Sequence, residues 1–150
     1  MSRKLEDPVY WYVAGMDLTT RFPRSPYDMN AGIVMLPRTT DKAGALQAGK
    51  LGDYLYNCPL DEKLFEFTGL DAERFGRLVR ECEGDDEVAA AIEQQYRRSP
   101  AENDAFNNMM RHLRPQDAEA QERFAQWLKD MGRDDYSTYF EHLDAEEGRF

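Results

Sequence analysis

Beyond residue 70, apolar residues return at three- and four-residue intervals, and polar or helix-breaking residues interrupt them at regular distances. That spacing predicts successive amphipathic helices. Asp71 can cap one that carries Phe75, Leu78, Val79 and Cys82, with Gly84 as its stop. Asp85 or Asp86 opens the next, where Val88, Ile92 and Tyr96 share a face. Ser99-Pro100-Ala101-Glu102 then forms a complete start signal: serine at the N-cap, proline at the first helical position, and glutamate three residues after the cap. Three stripes follow at i, i+3, i+4, i+7: Phe106/Met109/Met110/Leu113, Phe124/Trp127/Leu128/Met131 and Tyr136/Tyr139/Phe140/Leu143. Arg114-Pro115 separates the first two, and Gly132 ends the second. The pattern predicts that Phe106, Met110, Phe124, Trp127, Leu128, Phe140 and Leu143 share the core, and it leaves His112 and His142 at the surface or its boundary.

The N-terminal third follows no such period. Pro8, Pro23, Pro26 and Pro37 exclude long helices before residue 38. Val9 to Val13 is apolar but has no alternating partner, so residues 1–16 read as an extension whose Tyr10, Trp11 and Tyr12 dock on a helical body. Thr39 or Thr40 can cap a short helix that Gly49 ends. Pro59 can open another with Leu60, Leu64, Phe65 and Phe67 inward and Gly69 behind it. No domain boundary is evident along the chain. The expected fold is mainly α: one compact multi-helix domain over 17–150, with an irregular, proline-containing N-terminal third and an aromatic N-terminal arm.

Composition narrows the function classes. With 150 residues, 41% hydrophobic, the chain can bury a core without metal or disulfide support. No run approaches the ~20 apolar residues that cross a bilayer, and the Val9–Ala14 stretch is too short and aromatic for a signal peptide. A soluble, cytoplasmic protein without membrane association is expected. Cys58 and Cys82 lack CxxC spacing and the two histidines lie 30 residues apart, so no metal site or cofactor is expected. The net charge of −10 is uneven: residues 1–63 carry eight basic and eight acidic residues, and residues 64–150 carry eleven and twenty-one. So acidic a surface disfavours nucleic acid. The electrically balanced half is the better place for an anionic ligand.

Two clusters in that half carry candidate chemistry. Arg38, Thr39, Thr40 and Lys42 stand at a predicted helix start, where unpaired N–H groups and the dipole favour an anion and arginine grips a carboxylate or phosphate with two bonds. Asp41 lies among them, so a structural ion-pair network is the alternative, and Arg24 can join either arrangement. In the second cluster, Tyr54 and Tyr56 point to one side if residues 53–57 are extended, near Asn57, Cys58 and Asp61. These make pocket walls, or else Asn57 or Cys58 simply caps the next helix. Cys58 before Pro59 also suits a nucleophile, although a lone cysteine is more often packed than catalytic.

The pieces Leu36-Pro37-Arg38, Asp41-Lys42-Ala43, Gly49-Lys50-Leu51-Gly52-Asp53-Tyr54, Asn57-Cys58-Pro59-Leu60-Asp61 and Phe67-Thr68-Gly69-Leu70-Asp71 resemble, in this order, the bacterial family known as domain of unknown function 5069. The resemblance runs from about residue 17 to the C-terminal region and implies no reaction, cofactor or catalytic residue. The functional expectation therefore rests on the residues: binding of an anionic small molecule or peptide group by Arg38 and Lys42, with Tyr54, Tyr56 and Asp61 as pocket walls. The alternatives are a protein-interaction or assembly module using the aromatic arm, or an enzyme of unfamiliar type using Cys58 or Tyr56. The oligomeric state is left open.

Overall fold

A proline at the second position of a helix costs nothing, because its missing N–H would have had no partner there. Pro37 uses that allowance, and the central helix of the computed structural model, which describes residues 16–150, starts at Leu36. This helix, α1 (Leu36–Gln47), begins with nearly three turns of buried residues, from Leu36 through Ala45. Its N-cap position is Met35, in the left-handed region at φ 70°, with no side-chain cap. Thr39 and Thr40 are therefore helical residues rather than caps. Thr40 spends its hydroxyl on the Leu36 carbonyl one turn back, and Thr39 donates to Asp61. Val9–Val13 and the aromatic triplet Tyr10–Tyr12 lie outside the described residues.

A two-residue hairpin, β1 (Met29–Asn30) paired antiparallel with β2 (Ile33–Val34), leads into α1. Six further helices follow among the described residues: α2 (Pro59–Thr68), α3 (Ala72–Glu81), α4 (Asp85–Gln95), α5 (Pro100–Arg111), α6 (Ala118–Met131) and α7 (Tyr139–Glu146). The fold is mainly helical, as the periodicity predicts. The Asp71 cap and the Ser99–Glu102 capping box form as read, and Gly69 and Gly132 end their helices with left-handed φ. Gly84 acts differently: α3 has already ended at Glu81, and Gly84 is the N-cap position of α4.

α1 packs chiefly on α3, while α5 closes over β2 and α7. Asn107 on α5 fixes the hairpin by accepting from the Val34 N–H (3.0 Å) and donating to the Gly32 carbonyl (2.8 Å), which satisfies two backbone groups that burial would otherwise strand. The main core gathers Val34, Leu36, Leu64, Phe75, Val79, Val88, Ile92, Phe106, Met110 and Phe140.

The C-terminal stripes do not all enter that core. Phe124 packs instead with Tyr136 and Ala145 in a separate cluster that Leu128 and Met131 only flank, and Leu143 is half-buried. Trp127 retains 38% of its surface, with its indole stacked on the His142 ring at 4.8 Å. His142 is the correction on the other side: it is buried, held by the Tyr136 hydroxyl at 2.8 Å. The reason is shared. α7 begins only at Tyr139, capped by Thr138, so Tyr136 precedes the helix and its phenol is free to reach His142 and draw the imidazole inside.

Candidate functional site

The buried N-terminal turns of α1 carry five charged or hydroxylic side chains in a row, Arg38 to Lys42, and all but Thr40 have a partner from a distant segment. Burying a charge is costly unless it is paired and hydrogen-bonded, so these pairs decide which segments can meet.

Arg38 forms a two-bond fork with Glu147, just past α7: Nη1 to Oε1 at 2.9 Å and Nη2 to Oε2 at 2.7 Å. Nη1 also donates to the Arg24 carbonyl at 3.0 Å. Glu147 accepts from the Tyr54 hydroxyl at 2.8 Å and from Arg149 as well. Burial alone would raise the Glu147 carboxyl, but the bonds from Arg38 and Tyr54 outweigh it and hold the group below the usual carboxylate range. The same arrangement raises the Tyr54 phenol, through burial and through Glu147. Arg149 continues the chain of contacts to the Pro23 carbonyl at 2.6 Å, tying the C-terminal tail to the segment before the hairpin.

Lys42, one turn further along α1, meets Asp61 of α2 at 2.7 Å. Its ammonium also donates to the Leu55 carbonyl at 3.1 Å and to the Cys58 sulfur at 3.5 Å, so all three of its N–H bonds are committed. Asp61 takes the Thr39 hydroxyl at 2.7 Å and reaches back to the backbone N–H groups of Asn57 and Cys58, completing the start of α2 with Cys58 as its N-cap residue. Asp41 pairs with Arg24 rather than Arg38 (3.0 Å), and Arg24 also holds Asp85 at the start of α4. Burial raises the Asp41 carboxyl, and Arg24 only partly offsets that.

The Arg38–Glu147 pair and Lys42 line a cavity of about 970 Å³. Arg38, Lys42, Tyr54, Cys58 and Glu147 lie on it, and Phe22, Leu55, Leu60 and Leu143 supply its apolar parts. Phe22 and Leu55 are more than half exposed. Another part of the cavity lining depends on Gly52, at φ 65°: a Cβ there would come within 2.9 Å of the Leu18 carbonyl oxygen. Only glycine allows the 16–22 segment to lie this close, where the Leu18 N–H donates to the Lys50 carbonyl.

The five residues singled out in the sequence thus divide. Arg38, Lys42 and Tyr54 share the cavity; Asp61 sits behind it as the partner of Lys42. Tyr56 turns away, donating to the Ala72 carbonyl at 2.6 Å beside α3. Arg24 joins the ion-pair arrangement through Asp41, as one of the two readings had it, whereas Glu147 and Arg149 were not legible as site residues: their partners lie 109 and 126 positions away in sequence. The one available signal was the pair of acidic and basic residues, Glu147 and Arg149, beside the chain end.

The Arg38 fork has a second face. Arginine has five N–H groups, and Arg38 commits three of them. Its Nε–H and one Nη2–H have no partner among the described residues. These two point in parallel along the side of the guanidinium, a geometry that matches a carboxylate or phosphate. Among the described residues no group of three or more acidic, histidine or cysteine side chains is arranged to hold a metal ion, and no helix is long and apolar enough to cross a membrane.

No curated protein matches the chain. The family comparison does: the sequence model described as domain of unknown function, DUF5069, covers residues 20–149, a span that includes α1, all of the cavity lining except Leu18 and Thr19, and the Glu147–Arg149 tail, and the chain belongs to that family.

Proposed function

We propose that this cavity binds a small organic molecule through an anionic group, with Arg38 as the reading residue. The observation that carries the reading is the open side of the Arg38 guanidinium, buried to 2% exposure yet on the cavity wall, with two parallel N–H groups uncommitted among the described residues. Glu147 occupies the other face and so fixes the orientation of the guanidinium, which lowers the entropy cost of binding. Lys42 makes no direct bond to the ligand, since its donors are all in use and Asp61 balances its charge. The apolar surface of Phe22, Leu55 and Leu60 suits the body of the ligand, and a volume near the top of the ~300–1,000 Å³ range of ligand pockets leaves room for it.

A thermal-shift screen of inorganic phosphate and short branched carboxylates tests this. At least one should raise the melting temperature, and the increase should vanish in Arg38→Lys, which keeps the charge but loses the planar fork. The paired variant Phe22→Ala/Leu55→Ala alters exposed residues only, so it should melt like the parent and bind carboxylates more weakly. No stabilisation by any of these anions, or stabilisation that survives both variants, overturns the proposal.

A second reading, nucleophilic chemistry at Cys58, is favoured by its sulfur lying 3.5 Å from the Lys42 ammonium on the same wall. Rapid alkylation of Cys58 by iodoacetamide at neutral pH, with Cys82 spared, is the expected result; equal labelling of the two removes the reading.

A further inference from the structure

Once the buried pairs are set aside, the charges left on the cavity are not all positive. Arg38 is balanced by Glu147 and Lys42 by Asp61, which leaves Arg21, Asp53 and Glu146. Two of these three are carboxylates. Glu146 is the better ordered: its Oε1 lies 3.2 Å from His142 Nε2, and the other imidazole nitrogen is held by the Tyr136 hydroxyl at 2.8 Å. The Trp127 indole stacks on that buried ring. A buried, stacked and doubly bonded imidazole gives the Glu146 carboxylate a fixed anchor, while Oε2 has no partner among the described residues. Asp53 has no such anchor.

Two groups of opposite sign thus line one cavity from two elements: the Arg38 guanidinium on α1, with two N–H groups uncommitted among the described residues, and the anchored carboxylate of Glu146 on α7. Phe22, Leu55 and Leu60 lie on the same cavity and offer no polar side chain. Resting on the anion reading above, we infer that the cavity takes a zwitterion of the apolar α-amino-acid class. Its carboxylate lies on Arg38, its ammonium on Glu146, and its side chain against Phe22 and Leu55. His142 then acts as a positioning residue, touching Glu146 rather than the ligand.

The experiment is isothermal titration of the full chain with three probes of one shape: L-leucine, 4-methylpentanoate, which lacks the amine, and leucinol, which lacks the carboxylate. L-Leucine should bind at least about tenfold more tightly than either analogue. Glu146→Gln, at an exposed residue, should reduce L-leucine to the level of 4-methylpentanoate and leave 4-methylpentanoate itself unchanged. Asp53→Asn should change neither. His142→Gln should weaken L-leucine and not 4-methylpentanoate, a difference that a general loss of structure would not produce. Equal binding of L-leucine and 4-methylpentanoate overturns the amine site while the anion reading stands. Preferential binding of leucinol, or an effect of Asp53→Asn in place of Glu146→Gln, overturns the assignment of Glu146. Absence of binding by all three at millimolar concentration overturns the inference, and if phosphate also fails, the anion reading with it.

Discussion

The charges of α1 and those of α6 are used in opposite ways. On α6, Arg123 and Glu119 pair one turn apart at 3.1 Å, both largely in water, and a similar pair joins Arg77 and Glu73 on α3. Such pairs are local, screened by salt, and contribute little. On α1, Arg38, Asp41 and Lys42 are each nearly inaccessible, and their partners come from the C-terminal tail, the segment before the hairpin, and α2. The balanced charge of residues 1–63 hides the second kind. Net charge alone does not distinguish them. What does is whether a charge can find its partner within one helical turn.

The largest consequence should follow from breaking a buried pair on one side. Lys42→Met leaves Asp61 without its cation and with two backbone N–H groups and the Thr39 hydroxyl still pointing at it. A loss on the order of 3–5 kcal/mol is expected in urea unfolding. A loss no larger than that of an exposed pair would remove the distinction between the two regions.

Acid should act on the same network with a definite sign. Glu147 is held below its ordinary range, so its carboxylate stabilises the folded state above the unfolded-state pKa of about 4.3. That contribution fades as pH falls through the lower, folded-state value. Asp41 and Asp144 are raised by burial, so protonating them favours the folded state and partly offsets the loss. Glu147→Gln should therefore melt lower than the parent at neutral pH, and the gap should narrow below about pH 4. A gap that widens on acidification would mean that Glu147 is not held as described.

The Trp127→Ala variant probes the other region. A fully buried tryptophan would lose ~3–5 kcal/mol; at 38% exposure, with its main contact a stacked imidazole, a loss of roughly 1–2 kcal/mol is expected. Arg123→Ala should be smallest, with no resolvable change in melting temperature at physiological salt.

How far the sequence was legible follows the same division. Helix starts are written locally, so the Ser99–Glu102 box, the Asp71 cap and the terminal Gly69 and Gly132 could be read directly. The depth of each stripe is not local: Trp127 and Phe124 share one periodicity, but only the fold decides that α6 packs at the edge with its indole over His142. In the site, Arg38, Lys42 and Tyr54 were found because they cluster within one stretch of sequence. Glu147, Arg149 and Glu146 escaped notice because nothing in a carboxylate near the chain end announces a partner on α1. Tyr56 was grouped with Tyr54 on the assumption of extended backbone, and its hydroxyl instead goes to the Ala72 carbonyl.

The central claim is that Arg38 is buried for structure on one face and open for a ligand on the other. The Nε–Hε resonance of Arg38 in isotopically labelled protein, assigned by its absence in Arg38→Lys, reports on the open face alone. Titration with L-leucine or 4-methylpentanoate should shift this resonance in step with binding, while the Arg24 and Arg149 side-chain resonances move little. If the Arg38 signal stays fixed while the protein binds either carboxylate, or neither carboxylate nor inorganic phosphate moves it at all, the guanidinium is purely structural and the cavity is not an anion site.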